Sequence, residues 1–120
     1  PLPVHPAADT GRPLALVTGA SSGIGLELAR QLAERGHDLV VCAEDAAIHQ
    51  VAFANAQVEI VQADLATREG CEQLVARCAE LPPLDVCCLN AGIGLGGAFL
   101  ETDLDTELRM IQLNCSAVVH

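Results

Sequence analysis

The sequence predicts an α/β domain built around an open, doubly wound parallel β-sheet. Short apolar runs alternate with longer segments of helical periodicity, which is the pattern of consecutive βαβ units. Hydrophobic residues make up 51% of the 120 positions and charged residues only 18%, so the chain has enough apolar material for one packed core. Right-handed crossovers then join the parallel strands into a twisted sheet.

The apolar runs are the candidate strands, and the segments between them are the candidate helices. The runs are LALV (14–17), DLVVC (38–42), VEIVQ (58–62) and LDVCCL (84–89). After the first and third runs, apolar residues recur at helical spacing, so each of these helices has one buried face. The residues with this spacing are Ile24, Leu28, Leu32, Cys71, Leu74, Val75 and Cys78.

Helix ends can also be located in the sequence. Gly36 stands where a C′ glycine would end the first helix, and Thr67 is a candidate N-cap for the helix after the third strand. A shorter helix over residues 45–54 is expected to link the second and third strands.

The segment 102–120 is predicted to be a helix, capped by Thr102 or Asp103, with apolar residues on two sides. A helix of this kind usually packs against its own sheet and also against another surface. We therefore expect a homo-oligomer that packs through this helix. One apolar stripe holds Leu104, Leu108, Ile111, Cys115 and Val118, and the other holds Met110, Leu113 and Ala117.

Charge and hydropathy exclude several classes of partner. Sixteen acidic residues stand against six basic ones, so nucleic acid and anionic membrane surfaces would be repelled. No apolar run is long enough to span a bilayer, and the first residues do not resemble a signal peptide, so we expect a cytoplasmic protein. Residues 1–12 are expected to be a flexible tail before one domain at 13–120.

The six cysteines are interpreted as reduced residues that pack as small hydrophobic groups. None of them forms a CxxC pair, and most lie inside apolar runs. Cys87 and Cys88 are neighbours on a predicted strand, so their side chains point to opposite faces and cannot share a metal ion. No metal site is predicted.

The most informative segment, TGASSGIG at residues 18–25, connects the first strand to the first helix. A helix N-terminus presents free N–H groups and about half a positive charge, and glycines let the backbone approach a diphosphate. The alternative is a tight connection whose small residues serve packing alone. A P-loop is excluded, because the sequence contains no lysine. A second glycine-rich stretch, GIGLGG at 92–97, lacks the helix that should follow and is interpreted as a loop beside the site.

The TGASSGIG segment resembles the glycine motif of the short-chain dehydrogenase/reductase family. Three further matches follow in order: Asp64-Leu65 after the third strand, Asn90-Ala91-Gly92 after the fourth, and Asn114 in the next helix. The resemblance covers residues 13–120, which correspond to the first half of the family's domain. It implies a Rossmann-type fold, an NAD or NADP cofactor, and hydride transfer between the nicotinamide and a small alcohol or carbonyl substrate.

The resemblance also assigns residues to the cofactor. Asp64 would accept a hydrogen bond from the adenine amino group beside the backbone of Leu65, and Asn90, Ala91 and Gly92 would line the ribose. Two alternatives stay open: Asp64 as a turn or helix-capping acid, and Asn90 as a turn residue that only steadies the sheet. The pyrophosphate and its adjacent ribose would be surrounded by Gly19, Ser21, Ser22, Gly23, Ile24 and Gly25.

The end of the second strand bears on the choice between NAD and NADP. Glu44 and Asp45 stand there without a basic neighbour, and acids accept hydrogen bonds from the ribose hydroxyls of NAD while repelling a 2′-phosphate. In the family, the acid that selects NAD usually stands at the position of Ala43, so this sequence departs from the pattern. The alternative is that both acids cap the next short helix. We expect NAD.

Catalysis in the family relies on a serine, on tyrosine and lysine in a YxxxK motif, and on an asparagine that holds a water on a proton relay. Only the asparagine is matched, by Asn114, which could instead be an amide satisfied by nearby backbone. The sequence contains neither tyrosine nor lysine. We therefore expect the 120 residues to bind a dinucleotide without turning over an alcohol by themselves, and we expect the domain to be incomplete at its C-terminal end.

Two other hypotheses remain. The chain could be a non-catalytic dinucleotide-binding fragment or pseudoenzyme. It could also be an S-adenosylmethionine methyltransferase on a similar half-sheet, although the matches at Asp64 and Asn90 would then be accidental.

Overall fold

A computed structural model of the chain describes residues 10–120, and residues 1–9, which make up most of the predicted tail, lie outside that part. The described residues form an α/β unit with a single parallel sheet. The strands are β1 (Leu14–Thr18), β2 (Asp38–Ala43), β3 (Val58–Gln62) and β4 (Val86–Cys88). The α-helices are α1 (Gly23–Glu34), α2 (Arg68–Ala79), α3 (Leu104–Ile111) and α4 (Ala117–Val119).

The sheet has the strand order β3-β2-β1-β4, and every pair of neighbours is parallel. Its register aligns Val17 of β1 with Val41 of β2 and with Cys88 of β4. Because the strands are parallel, their carboxyl ends all meet at one edge of the sheet. The order reverses beside β1, and a reversal of this kind opens a crevice at that edge.

Both faces of the sheet are covered, which explains why β1 and β2 are buried along their whole length and apolar except for Thr18 and Asp38. On one face Val17, Leu39 and Val41 pack with Ala29 and Ala33 of α1. On the other face, a separate core packs against α2 and the segment that follows α3 and contains Leu113; its sheet residues are Leu14, Leu16, Val40, Cys42 and Val61. The predicted doubly wound sheet of four βα units is therefore confirmed.

The helix ends follow the predicted signals. Gly36 has φ +92°, and the N–H groups of Gly36 and His37 donate to the carbonyls of Ala33 and Leu32, which is a Schellman ending. The Thr67 Oγ1 accepts from the Gly70 N–H at 3.0 Å, and an Asp103 carboxylate oxygen accepts from the Thr106 N–H at 2.9 Å. Thr67 and Asp103 are therefore the N-caps of α2 and α3.

Two elements are shorter than the sequence predicts. The helix expected over residues 45–54 is a single 3₁₀ segment, Ala46–Gln50. Asp45 caps it by accepting from the Ala47 N–H, but Val51 has extended backbone, so the helix cannot continue. The fourth strand is limited to Val86–Cys88, because after it the Asn90 N–H bonds to a Thr18 side chain and the ladder ends.

The predicted final helix is continuous but contains a π-helical segment, Gln112–Ser116, between α3 and α4. Leu113 faces the sheet and is buried, whereas Leu104, Leu108 and Ile111 are at least half exposed. The two apolar sides predicted for this helix are therefore present. What covers the exposed side stays a prediction.

Residues 10–12 of the predicted tail contact the amino-terminal edge of the sheet. The Thr10 hydroxyl donates to Asp38 at 2.6 Å, and the Arg12 guanidinium donates to the carbonyls of Gly36 and Asn55. Asp38 also accepts from the Gln57 N–H. The bonds from Thr10 and Gln57, with an ion pair to Arg12 at 3.4 Å, satisfy the buried Asp38 carboxylate at the start of β2.

The cysteines are unpaired throughout the described residues. Cys42 is fully buried, and burial raises the pKa of its thiol to about 12. Cys87 is exposed and Cys88 is partly buried against the α1 side of the core, as expected for successive residues of one strand. Within residues 10–120, no helix combines the length and apolar character needed to cross a membrane.

Candidate functional site

A cavity of about 300 Å³ opens at the carboxyl edge of the sheet, beside the point where the strand order reverses. Most of the residues that the resemblance assigns to a dinucleotide line it, although they come from four separate segments of the chain. The lining residues are Gly19, Ser21, Ser22, Ala43, Glu44, Asp45, Ala63, Asp64, Leu65, Asn90, Ala91, Gly92, Ile93 and Leu113.

The turn between β1 and α1 has a backbone that only small residues permit. Gly19 has φ +66° and Gly23 has φ +57°, both in the left-handed region. Gly25 lies under the turn, where an added Cβ would stand 2.1 Å from the Gly19 carbonyl oxygen and 2.6 Å from the Asn90 Nδ2. A side chain at Gly25 would therefore displace the turn, so the turn requires glycine at this position. Ile24 projects into solvent with 74% of its surface exposed, so its predicted place on the buried face of α1 is wrong.

The two serines of the turn have different surroundings. Ser22 is the N-cap residue of α1, and its side chain makes no capping hydrogen bond. The Ser21 hydroxyl donates to an Asp45 carboxylate oxygen at 2.7 Å, which ties the glycine turn to the end of β2. The first N–H groups of a helix have no partner within the helix, so the start of α1 offers donors beside the cavity.

The Asn90-Ala91-Gly92 segment is fixed to the end of β1. The Thr18 Oγ1 accepts from the N–H groups of Asn90 and Ala91, each at 3.0 Å, and the Asn90 Nδ2 donates to the Thr18 carbonyl at 3.1 Å. Asn90 thus steadies the sheet, as one of the two interpretations requires. The same bonds hold Ala91 and Gly92 on the wall of the cavity, and contact of this segment with a ribose stays a prediction.

Asp64 follows β3 and takes part in a turn as well as in the cavity wall. Its Oδ1 accepts from the Ala66 N–H at 3.0 Å, and its carbonyl accepts from Thr67 at the start of α2. The turn interpretation of Asp64 is therefore present in the structure. Its side chain remains about one-third exposed, and Leu65 beside it also lines the cavity.

Arg109 of α3 bridges two acids of the cavity wall. Its two terminal nitrogens donate to the two carboxylate oxygens of Asp64, each at 2.9 Å, and one of them also donates to Glu44 at 2.7 Å. This hydrogen bonding lowers the pKa of Asp64 below its usual range and raises the pKa of Arg109. Asp64 is therefore ionised, and one guanidinium contacts both the Asp64 and the Glu44 carboxylates.

Asn114 lies in the π-helical segment, and both its amide oxygen and its amide nitrogen bond to the backbone of Ile93. Its Oδ1 accepts from the Ile93 N–H at 2.9 Å, and its Nδ2 donates to the Ile93 carbonyl at 2.8 Å. The amide therefore fixes Ile93, which lines the cavity. This matches the alternative in which nearby backbone satisfies the amide, and the proton-relay role stays a prediction.

The residues present fit a dinucleotide. A diphosphate needs a backbone that it can approach closely and N–H donors, and the turn supplies left-handed glycines beside the start of a helix. An added Cβ at Gly23 would meet no atom within 4 Å, so the outer side of the turn is open to a ligand. The carboxylates at the far end of the cavity are acceptors for hydroxyl and amino groups.

A family model described as short chain dehydrogenase matches residues 13–120. The chain belongs to the short chain dehydrogenase family. This confirms the resemblance noted in the sequence, and it identifies the chain as part of a family of oxidoreductases. The shared region includes the glycine turn, Asp64, Asn90 and Asn114.

One curated relative is the rhamnolipids biosynthesis 3-oxoacyl-[acyl-carrier-protein] reductase of Pseudomonas aeruginosa. It is 33% identical over 122 residues, which cover 96% of this chain and 47% of the relative. Two solved structures are similar in fold. A short-chain dehydrogenase from Sphingobium yanoikuyae in complex with NADPH has a TM-score of 0.82 and 34% identity, over 89% of this chain and 44% of that one.

The L-sorbose reductase of Gluconobacter frateurii, complexed with NADPH and L-sorbose, also has a TM-score of 0.82, with 29% identity over 90% of this chain and 44% of that one. The chain therefore spans less than half the length of these relatives. Both solved structures contain NADPH, so a nicotinamide dinucleotide is the ligand of similar folds, whereas the NAD preference expected from Glu44 stays a prediction.

Two residues of the site were missed in the sequence. Arg109 is one of several surface-type arginines, and nothing in its spacing links it to Asp64, 45 positions earlier. Thr18 precedes the glycine motif and looks like the last residue of an ordinary strand, yet its hydroxyl anchors the Asn90 segment. Only the sheet order, which places β4 beside β1, brings Thr18 and Asn90 together.

Proposed function

We propose that the chain is the cofactor-binding half of an NAD(P)-dependent oxidoreductase that transfers hydride between the nicotinamide and a small alcohol or carbonyl substrate. One observation carries this proposal: a single cavity joins the glycine turn, the Asp64 end of β3 and the Asn90-Ala91-Gly92 segment. Family membership and the NADPH-containing structural neighbours support it.

The residues divide the cofactor between them according to their chemistry. The turn from Gly19 to Gly25 holds the diphosphate against the start of α1. Asp64 has lone pairs left after its bonds to Arg109, and these accept the adenine amino group beside the backbone of Leu65. Ala91 and Gly92 lie along the ribose. Their small size leaves space for it, because larger side chains here would project into the cavity.

The bound nicotinamide supplies the hydride chemistry, while the protein must position the substrate and move a proton at its oxygen. In this chain Asn114 fixes Ile93 at the cavity wall. The sequence has neither tyrosine nor lysine. We therefore assign the proton donor to residues outside these 120, and the exposed side of α3 to contact with a further copy or segment of the protein.

The alternative is a non-catalytic dinucleotide-binding protein. The absence of a YxxxK motif from these 120 residues favours this alternative. The two proposals share the cofactor site and differ only in turnover. Oxidation of bound NADH or NADPH by a ketone is followed at 340 nm by the loss of cofactor absorbance. Both proposals expect the 120-residue chain alone to bind the cofactor and leave it reduced. Loss of absorbance in a protein that joins this chain to a segment carrying the proton donor would support the oxidoreductase, and retained absorbance there would support the non-catalytic alternative.

NAD is the proposed cofactor, and Glu44 provides the test. A Glu44→Arg substitution replaces an acceptor of ribose hydroxyl hydrogen bonds with a cation suited to a 2′-phosphate. We expect the ratio of NADP affinity to NAD affinity to rise at least about tenfold, equal to about 1.4 kcal/mol. Isothermal titration calorimetry of both dinucleotides measures this ratio.

Glu34→Arg is the matched control, because it makes the same charge change and also breaks an ion pair with an arginine, but at the far end of α1. This control should leave the ratio unchanged. A ratio that Glu44→Arg does not alter would place the ribose 2′ position elsewhere.

A further inference from the structure

We propose that Arg109 is a positioning residue that sets how the adenine-ribose end of the site discriminates between NAD and NADP. The inference rests on the proposed function, because it assumes that the cavity holds a dinucleotide. It concerns a residue on the final long helix, far in sequence from the glycine turn and from the end of β2.

Arg109 makes the contacts that such a role requires. It binds Asp64 through both terminal nitrogens at 2.9 Å and Glu44 through one of them at 2.7 Å. A bidentate pair fixes the plane of the carboxylate as well as its position. Arg109 therefore connects the ends of β2 and β3 to α3, and it holds both acids in one arrangement.

The described residues that line the cavity carry negative charge and no positive charge, so the position of the Arg109 guanidinium affects how a ligand is bound. Glu44, Asp45 and Asp64 all line the cavity, and no basic residue is found among the lining residues of the described chain. The other contacts of Asp45 are with Ser21 and Ala47. Arg109 is thus the cation in direct contact with Glu44 and Asp64. Without it, these two carboxylates would face the adenine-ribose end uncompensated, as Asp45 already does.

Loss of this cation should affect the two dinucleotides unequally. A 2′-phosphate carries up to two negative charges and is repelled by each uncompensated carboxylate, whereas the 2′-hydroxyl of NAD donates hydrogen bonds to them. Removing the guanidinium therefore weakens NADP much more than NAD. A residue that merely stabilised the fold would weaken both dinucleotides by the same factor.

The test compares Arg109→Gln, Arg109→Lys and Arg77→Gln by calorimetric titration with NAD and with NADP. Arg77 is a matched control, since it also bridges two acids, Glu59 and Glu80. It lies in the last turn of α2 and does not line the cavity. We expect Arg109→Gln to lower the NADP-to-NAD affinity ratio at least about tenfold. Arg109→Lys loses the bidentate geometry but retains the charge, so it should keep the ratio within about threefold of that of the unmodified chain, because charge sets the discrimination.

A second comparison uses the Glu44→Gln substitution in the Arg109→Gln background. Because the proposal assigns the effect to uncompensated charge at Glu44 and Asp64, removing the Glu44 charge should recover part of the lost NADP affinity. Equal loss of both dinucleotides in Arg109→Gln, or an unchanged ratio, would overturn the inference. Failure of the unmodified chain to bind either dinucleotide would instead overturn the proposed function.

Discussion

Gly25→Val is expected to abolish dinucleotide binding, with an affinity loss of at least about 100-fold, equal to about 3 kcal/mol. Even the first carbon of a side chain at this position would stand 2.1 Å from the Gly19 carbonyl oxygen and 2.6 Å from the Asn90 Nδ2. The first of these is a backbone atom, so the glycine turn must move away from the start of α1. Calorimetric titration with NAD and NADP measures the loss.

A matched control and a second variant separate binding from folding. Gly94→Ala changes a glycine whose added Cβ would meet no atom within 4 Å, so it should leave binding unchanged. Ser22→Asp keeps a residue type that is favoured at an N-cap, but it places a carboxylate beside the proposed diphosphate position. Its chain should remain folded by circular dichroism and bind weakly. Unchanged affinity in both Gly25→Val and Ser22→Asp would show that the glycine turn does not bind the dinucleotide.

Gly70→Ala is expected to destabilise the domain, although alanine normally stabilises a helix relative to glycine by about 1 kcal/mol. Gly70 lies in the first turn of α2, where an added Cβ would stand 1.9 Å from the Asp64 carbonyl oxygen and 2.6 Å from its carbon. Both are backbone atoms, so the start of α2 must shift away from the end of β3. We expect a loss of about 2 to 3 kcal/mol in the free energy of unfolding.

Urea denaturation monitored by circular dichroism measures this change, and Gly94→Ala again serves as the control. The same shift displaces the Asp64 carboxylate, so dinucleotide affinity should fall in parallel. An unfolding free energy equal to or above that of the unmodified chain would show that α2 and the Asp64 turn do not pack as closely as described.

The strands and helices could be predicted because their signals are local. The apolar runs of β1 and β2 and the caps at Gly36, Thr67 and Asp103 lie within a few residues of the structure that they specify. The single error in helix length, after Asp45, arose because the cap is real but Val51 adopts extended backbone and ends the helix. A cap specifies where a helix begins and not how long it continues.

The candidate site could be predicted only in part, because its charges are arranged by tertiary contacts. The glycine turn can be recognised from the spacing of its glycines. Asp64 and Asn90 can be recognised from their positions directly after predicted strands. The bridge from Arg109 to Glu44 and Asp64 depends on how the final helix crosses the sheet edge, which no local pattern encodes. The same holds for Gly70, whose contact with Asp64 becomes visible only when α2 is placed against β3.

Binding of a nicotinamide dinucleotide in the cavity at the carboxyl edge of the sheet can be observed residue by residue. The measurement is a titration of the ¹⁵N-labelled 120-residue chain with NAD, followed by two-dimensional ¹H–¹⁵N NMR. We expect saturable shifts of the amide resonances of Ser21 to Gly25, Leu65, Ala91 and Gly92. Absence of shifts would contradict the claim, as would shifts confined to the apolar groove between α2 and the final helix, which is lined by residues such as Leu74, Cys78 and Val118.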